Sequence, residues 1–349
     1  MKSISKLVLV VFLGFFSTSI FAKDNFKVCW SIYVGWMPWD YGAQAGIVKK
    51  WADKYDISID VVQINDYVES INQYTAGGFD GCTMTNMDAL TIPAAGGVDS
   101  TALIVGDFSN GNDGVVLKGK KSLKDVKGQK VNLVELSVSH YLLARGLDSV
   151  GLKEKDISVV NTSDADMVAV YGTDSVTAVT TWNPLLSEIT SMPNSYKVFD
   201  SSQIPGEIID LMVVNTKTLK ANPKFGKALT GAWYEIMKTM KGKGKKAIAA
   251  RTTMAKASGT DLKGYDAQLA TTEMFYKAKD AVKFTKSSKL KTTMKYVAEF
   301  SFNHGLLGEG ASDAGFIGIQ TPAGVYGSKK NIKLRFDPSY MDMAAKGKL

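Results

Sequence analysis

Cysteine and histidine are scarce in this chain of 349 residues, which has only Cys29, Cys82, His140 and His304. Four such residues, far apart in sequence, give no ligand set for zinc or another transition metal. No Ser/His/Asp arrangement and no phosphate-binding glycine loop is visible, so no enzyme chemistry and no cofactor is expected. Two cysteines exclude a disulfide framework; they lie in "KVCWS" and "DGCTMT", stretches that read as neighbouring strands, where they either pair or stay as buried thiols. There is no internal repeat and no low-complexity segment beyond lysine-rich turns.

Long apolar runs are also lacking, with one exception at the start. "MKSISKLVLVVFLGFFSTSIFAKDN" has two lysines, an apolar run over 7–16 and small residues up to Ala22. That is the layout of a secretory signal peptide over residues 1–22, cut near Ala22, and it is too short for a membrane anchor. The formal charge of +8 falls to +6 without Lys2 and Lys6. The surplus lysines are not interleaved with aromatic residues, so they read as solvated helix faces and nucleic acid is not an expected partner. The remaining length exceeds what one core usually serves and points to two lobes.

From Phe26 onward, short β-type runs alternate with helical stretches. "FKVCWSIYV", "ISIDVVQI", "FDGCTMT" and "STALIVGDF" read as strands, with helices between them. The rhythm breaks at "DFSNGNDGVVLKG" and a second series starts, with strands at "KVNLVEL", "ISVVNTS" and "DSVTAVTTW". After "IIDLMVVN" the chain reads as helical almost to its end. Alternation of this kind implies parallel sheets with right-handed crossovers. The expected organisation is an α/β bilobed clamp: lobe 1 from 23–112, lobe 2 from 113–210, and a return to lobe 1 with C-terminal helices over 211–349.

The ordered set "SLKDVKGQKV", "SHYLL", "DISVVN", "DADMVA", "AVTTWNP" and "TLKANPKFGKAL" resembles the periplasmic solute-binding proteins of ABC importers, in the group that takes nitrate, taurine, alkanesulfonates and thiamine precursors. "VELSVSHYLLARGLDSVGL", "NTSDADMVAVY" and "TWNPLLSEI" are most similar to a subfamily labelled as urea importers. The resemblance implies a periplasmic monomer with two α/β lobes joined by two crossover strands. It further implies a small-molecule ligand in the cleft and membrane permease subunits as partners. A thiamine-pyrimidine synthase on the same fold uses a histidine and a cysteine cluster, which this chain lacks.

Ligands of open α/β sheets lie beyond the carboxyl ends of the strands. That rule selects the loops "GWMPWDYG", "TNMDAL", "VELSVSH", "NTSDAD" and "TTWNP". Anion binders are expected to use small residues and helix N-termini there. These loops instead carry Asp40, Asp88, Glu135, Asp164 and Asp166, which suit a cation. Glu135, at a strand-to-helix junction, reads as a ligand contact; Asp88 reads equally as helix cap and ligand contact; Asp164 and Asp166 read first as caps. Trp36 and Trp39, on either side of Met37-Pro38, are expected to offer ring faces to the ligand, with Trp182 as a third. Asn86, Ser137, His140 and Asn183 complete the candidate set, together with Asp210, an acid entering an apolar strand. Carboxylates plus an aromatic face favour a planar cation such as guanidinium, or another small amidine or ammonium compound, over neutral urea, with taurine, sulfonate or nitrate as the alternative.

Overall fold

The computed structural model describes residues 24–349; the expected signal peptide over 1–22 lies outside the described residues. The chain opens with β1 (Asp24–Trp30), α1 (Met37–Gln44), α2 (Ile47–Lys54), β2 (Ile57–Gln63), α3 (Tyr67–Thr75), β3 (Gly81–Thr85), α4 (Asn86–Ala89) and β4 (Ser100–Ser109). It crosses into a second unit made of β5 (Asp113–Lys118), β6 (Lys130–Leu133), α5 (Val138–Ser149), β7 (Ser158–Asn161), α6 (Met167–Tyr171), β8 (Ala178–Trp182), α7 (Leu185–Ser191) and β9 (Ser195–Asp200). It then returns through β10 (Ile209–Asn215) into α8 (Thr216–Ala221), α9 (Pro223–Met240), α10 (Lys245–Ala257) and α11 (Leu262–Leu269). The end comprises β11 (Thr272–Met274), α12 (Ala278–Thr285), α13 (Ser288–Asn303), β12 (Gly318–Thr321), β13 (Gly324–Tyr326), β14 (Ile332–Phe336) and α14 (Ser339–Ala345).

Two sheets result, one per lobe. Among the described residues the larger runs β13-β12-β14-β4-β10-β3-β1-β2, with β11 on β4, and the smaller runs β7-β6-β8-β5-β9. The expected α/β clamp is therefore present, with two differences. Each sheet is mixed rather than parallel, because the strands next to the two crossings, β10 against β3 and β4, and β5 against β8 and β9, run antiparallel to their neighbours. The C-terminal part is not wholly helical either: β12 and β14 extend the large sheet in parallel with β4. The stretch "GIQTPAGVYGS" hides two of these strands because glycine and proline dominate it.

Local chemistry explains the elements around the cleft. Pro38 sits in the first turn of α1, where a missing N–H is harmless, so the "GWMPWDYG" stretch continues as a helix rather than as a loop. Asp66 caps α3 by accepting from the Glu69 N–H, and Thr85 caps α4. Cys29 and Cys82 face each other in the β1–β3 register, with Cα atoms 4.4 Å apart, and are joined as a disulfide. Of the two readings open for these cysteines, the pairing is the one present.

Candidate functional site

The lobes meet around one enclosed cavity. Tyr33, Trp36, Tyr67, Thr85 and Asp210 line it from the larger lobe, Asp113, Val138 and Trp182 from the smaller one, and Ile208 from the connection between them. Strand register puts these side chains there. Asp210, at the start of β10, lies opposite Thr85 of β3 on one side and Asp107 of β4 on the other. In the smaller sheet Asp113, at the start of β5, lies opposite Trp182, the last residue of β8. The site is thus assembled from strand ends beside the two crossings.

Four rings form a continuous wall. Tyr33 meets Trp36 edge to face at 4.9 Å, Trp36 meets Tyr67 at 5.6 Å, and Tyr67 meets Trp182 edge to face at 5.5 Å. Trp182 also joins the lobes through its Nε1–H, which donates to the Ile32 carbonyl at 3.3 Å. Nearby, the Val34 N–H donates to the Asn183 carbonyl, and the Tyr67 N–H to Asp164 Oδ1, again across the cleft.

Behind and beside the rings lie four buried carboxyl groups. Asp107 accepts from the Tyr33 hydroxyl at 2.8 Å, Asp113 from the Ser109 hydroxyl at 2.5 Å, and Asp88 from the hydroxyls of Tyr67 at 2.5 Å and Thr85 at 2.8 Å. Burial pushes Asp88 up to about 6, and Asp107 and Asp113 up to about 7. Asp210 is pushed well above the usual carboxyl range, first by burial and then by the charge of Asp107 beside it. Among the described residues no lysine, arginine or histidine lines the cavity. The Trp36 Nε1–H is buried without a protein partner, whereas Asp107 and Asp210 share a side-chain hydrogen bond and Asp88 also accepts the Val138 N–H. An unpartnered group of this kind is costly unless something polar or charged meets it. Among the described residues no set of three or more histidine, cysteine or acidic side chains has the geometry to hold a metal ion.

Of the residues selected from sequence, Trp36, Trp182 and Asp210 line the cavity, and Asp88 stands behind Tyr67 and Thr85. The others are placed elsewhere. Trp39 is buried against Trp233 of α9, with ring centroids 5.1 Å apart, because α1 turns it into the core. Asn86 ties the returning chain, donating to the Glu207 carbonyl and accepting from the Ile209 N–H. Glu135 is exposed to solvent, its side chain turned out where the chain leaves β6. Ser137 caps α5, accepting from the Ser139 N–H. Asn183 accepts from the N–H and hydroxyl of Ser187 and donates to Thr271. His140 is bound to Glu154, away from the cavity. Asp164, read as a cap, does accept a backbone N–H, but from Tyr67 of the other lobe.

Tyr33, Tyr67, Thr85, Asp107 and Asp113 were not selected from sequence. For the two acids the signal was present: "IVGDFS" and "NDGVVL" each set an aspartate at the end of an apolar run, the feature that singled out Asp210. The tyrosines gave no such signal, since an aromatic residue beside a strand or in an amphipathic helix is ordinarily core.

Comparisons with known proteins place this geometry. A curated binding protein of Brucella abortus (strain 2308) is 30% identical over 102 residues, which is 29% of this chain and 31% of the relative. The match therefore spans about a third of that relative's length. In structure the chain is similar to the alkanesulfonate-binding protein of Xanthomonas axonopodis pv. citri bound to MOPS, with TM-score 0.67 and 15% identity over 82% of this chain and 96% of that one. It is also similar to the periplasmic nitrate-binding protein of Synechocystis PCC 6803, with TM-score 0.59 and 13% identity over 92% of this chain and 98% of that one. At these identities the likeness concerns the fold, which is the periplasmic-binding-protein architecture of two α/β lobes. Residues 45–247, more than half of the sequence, match the family described as NMT1/THI5 like, and the chain belongs to that family.

Proposed function

We propose that the protein is the solute-binding component of an ABC importer, exported to the periplasm, that captures a small planar cation of the guanidinium type and presents it to membrane permease subunits. The observation that carries this reading is the charge of the site. Asp113 and Asp210 reach the cavity, Asp107 and Asp88 back it, and among the described residues no basic side chain lines it. A carboxyl pair can receive N–H donors of a planar cation in two parallel hydrogen bonds, as it receives arginine. The faces and edges of Tyr33, Trp36, Tyr67 and Trp182 supply a desolvated aromatic wall, where a cation–π contact is worth about 2 kcal/mol or more. The free space between these side chains is about 10 Å³, room for about one water molecule, so the lobes must part to admit even a solute of a few heavy atoms.

The subfamily resemblance to urea importers fits the same cavity with a neutral solute, and the unpartnered Trp36 Nε1–H would meet the oxygen of urea. The anion reading draws on the alkanesulfonate- and nitrate-binding neighbours. It requires the acids to be protonated, so that they donate rather than repel; Asp107 and Asp113 at about 7 are fully protonated only below neutral pH and about half protonated at it. A catalytic role of the thiamine-pyrimidine type is disfavoured by the positions of the cysteines, joined between β1 and β3, and of the histidines, both bound by Glu154.

A thermal-shift and calorimetric screen with guanidinium, urea, acetamidinium, taurine and nitrate at low millimolar concentration tests the reading. Guanidinium or acetamidinium is expected to stabilise most and to be recovered unchanged. A response to taurine or nitrate alone would overturn the cation assignment, and conversion of the solute would overturn the receptor role.

A further inference from the structure

A second cluster joins the lobes on the outer side of the cleft. Glu154 lies in the short turn that follows α5 in the smaller lobe. Its carboxylate is engaged by His140 of α5 at 2.5 Å through Oε1 and by His304, at the end of α13 in the larger lobe, through Oε2. Helix α13 belongs to the larger lobe, where Met294 packs against Asn86 at the end of β3. The ring of His304 stacks on Phe300 at 4.0 Å, and Phe300 meets Tyr141 of α5 edge to face at 5.1 Å.

We propose that His304, Glu154 and His140 form a pH-dependent clasp that holds the two lobes closed. The hydrogen-bond roles require it. His140 Nδ1 accepts from the Leu136 N–H at 3.1 Å, so its Nε2 carries the hydrogen given to Glu154, and the neutral ring satisfies both contacts. His304 is different, because both of its nitrogens face acceptors: Nδ1 meets the Phe300 carbonyl at 2.8 Å and Nε2 meets Glu154. Only the doubly protonated imidazolium can donate to both. With both contacts made, His304 is charged and its interlobe bond to Glu154 is an ion pair.

The other charged groups around the cluster act in the same sense. Asp148 of α5 faces His304 and favours its charge, while Lys153 is held by Asp148 at 2.8 Å. Asp156, the next acid in the turn, is occupied by the Lys153 N–H and by Lys127. The bond to Glu154 raises His304 above the usual histidine value, and the two histidines hold Glu154 down at about 2. The sign follows: the clasp is complete in acid and neutral solution and is lost as pH rises through the raised His304 value. Deprotonation leaves one ring hydrogen for two acceptors, so either the Glu154 contact or the Phe300 contact loses its hydrogen bond, and the charge of the ion pair is gone in both cases.

The clasp rests on the two-lobe architecture and not on the identity of the solute, so its test uses ligand-free protein. Small-angle X-ray scattering of the mature chain between pH 5.5 and 9, with circular dichroism as a fold check, is compared for wild type, His304→Gln and Glu154→Gln. The buried acids of the cavity ionise in wild type and variants alike, so the difference between the curves reports the clasp. The wild type is expected to be more compact than either variant at pH 5.5, and the difference to shrink at least threefold by pH 9, with a midpoint above that of free histidine. Glu154→Gln removes the negative partner of the same ion pair from the other lobe and stands in if His304→Gln does not fold. Variant curves that superimpose on wild type, or a difference that does not change with pH, would overturn the proposal.

Discussion

Replacing Asp113 by asparagine should stabilise the empty protein in alkaline solution while abolishing its grip on a cation. The carboxyl is fully enclosed at the cleft and burial lifts it to about 7. A folded value above the unfolded one means that this group favours folding below its ordinary range and opposes it as pH rises through the folded value. Above both values the opposition amounts to about 4 kcal/mol, at about 1.36 kcal/mol per tenfold shift in proton affinity. Asparagine keeps an oxygen able to accept from the Ser109 hydroxyl but adds amide hydrogens that need partners. A net gain of about 1–3 kcal/mol at pH 8.5 is therefore expected, with none or a small loss at pH 5. Urea unfolding of solute-stripped wild type and Asp113→Asn at the two pH values measures it, and titration with guanidinium measures the lost binding. Parallel pH profiles for the two proteins, or a variant that is less stable at pH 8.5, would refute the electrostatic account of the site.

Trp182→Ala should weaken guanidinium binding by about 10- to 30-fold, the equivalent of about 1.4–2 kcal/mol, since it removes a ring from the wall as well as the bond to Ile32; calorimetric titration reads this out. Glu135→Gln should leave binding within about twofold of wild type because its side chain is solvent-exposed, and a tenfold loss would show that the acid reaches the solute. Affinity for guanidinium between pH 5 and 9 should pass through a maximum, rising as Asp113 and Asp107 ionise and falling as the His304 clasp opens, whereas affinity for urea should only fall. Equal profiles for the two solutes would remove the charge of the site from the explanation.

The clamp was legible because periodicity and turn residues report which way a segment buries its apolar side. They do not report strand direction. The antiparallel course of β5 and β10 depends on where the chain crosses between lobes, and that is decided by tertiary assembly. The same limit divides the candidate residues. Asp210 was found because an acid in an apolar strand is conspicuous, and Trp36 and Trp182 because they follow strands. Glu135 and Trp39 occupy equally suggestive sequence positions, yet a turn with Leu136 at φ 62° carries Glu135 outward and helix α1 carries Trp39 into the core. The orientation of a side chain at a strand end depends on a few backbone angles, and composition does not encode them. Tyr67 is the converse case: its ring is fully buried, as core residues are, and still forms one wall of the cavity.

The acids also occupy the strand ends where the chain passes between lobes. Asp107 is near the end of β4, Asp113 begins β5, and Asp210 begins β10, so each flanks one of the two crossings. Asp107 and Asp210 are neighbours on adjacent strands of the larger sheet and Asp113 comes from the smaller one; with the lobes together all three are buried, and their raised values reflect how unfavourable their charge is there. An empty site at neutral pH therefore resists closure in proportion to the charge it must desolvate. A cation among the acids removes that resistance without any long-range relay, because the binding groups and the hinge strands are the same segments. A neutral solute supplies hydrogen bonds but no compensating charge, so it leaves most of the resistance in place. On this argument the closed state depends on two contributions that are physically separate: compensation of the acids at the hinge, and the His304–Glu154 clasp at the outer rim. The first distinguishes solutes by charge, while the second acts on closure whatever the solute is.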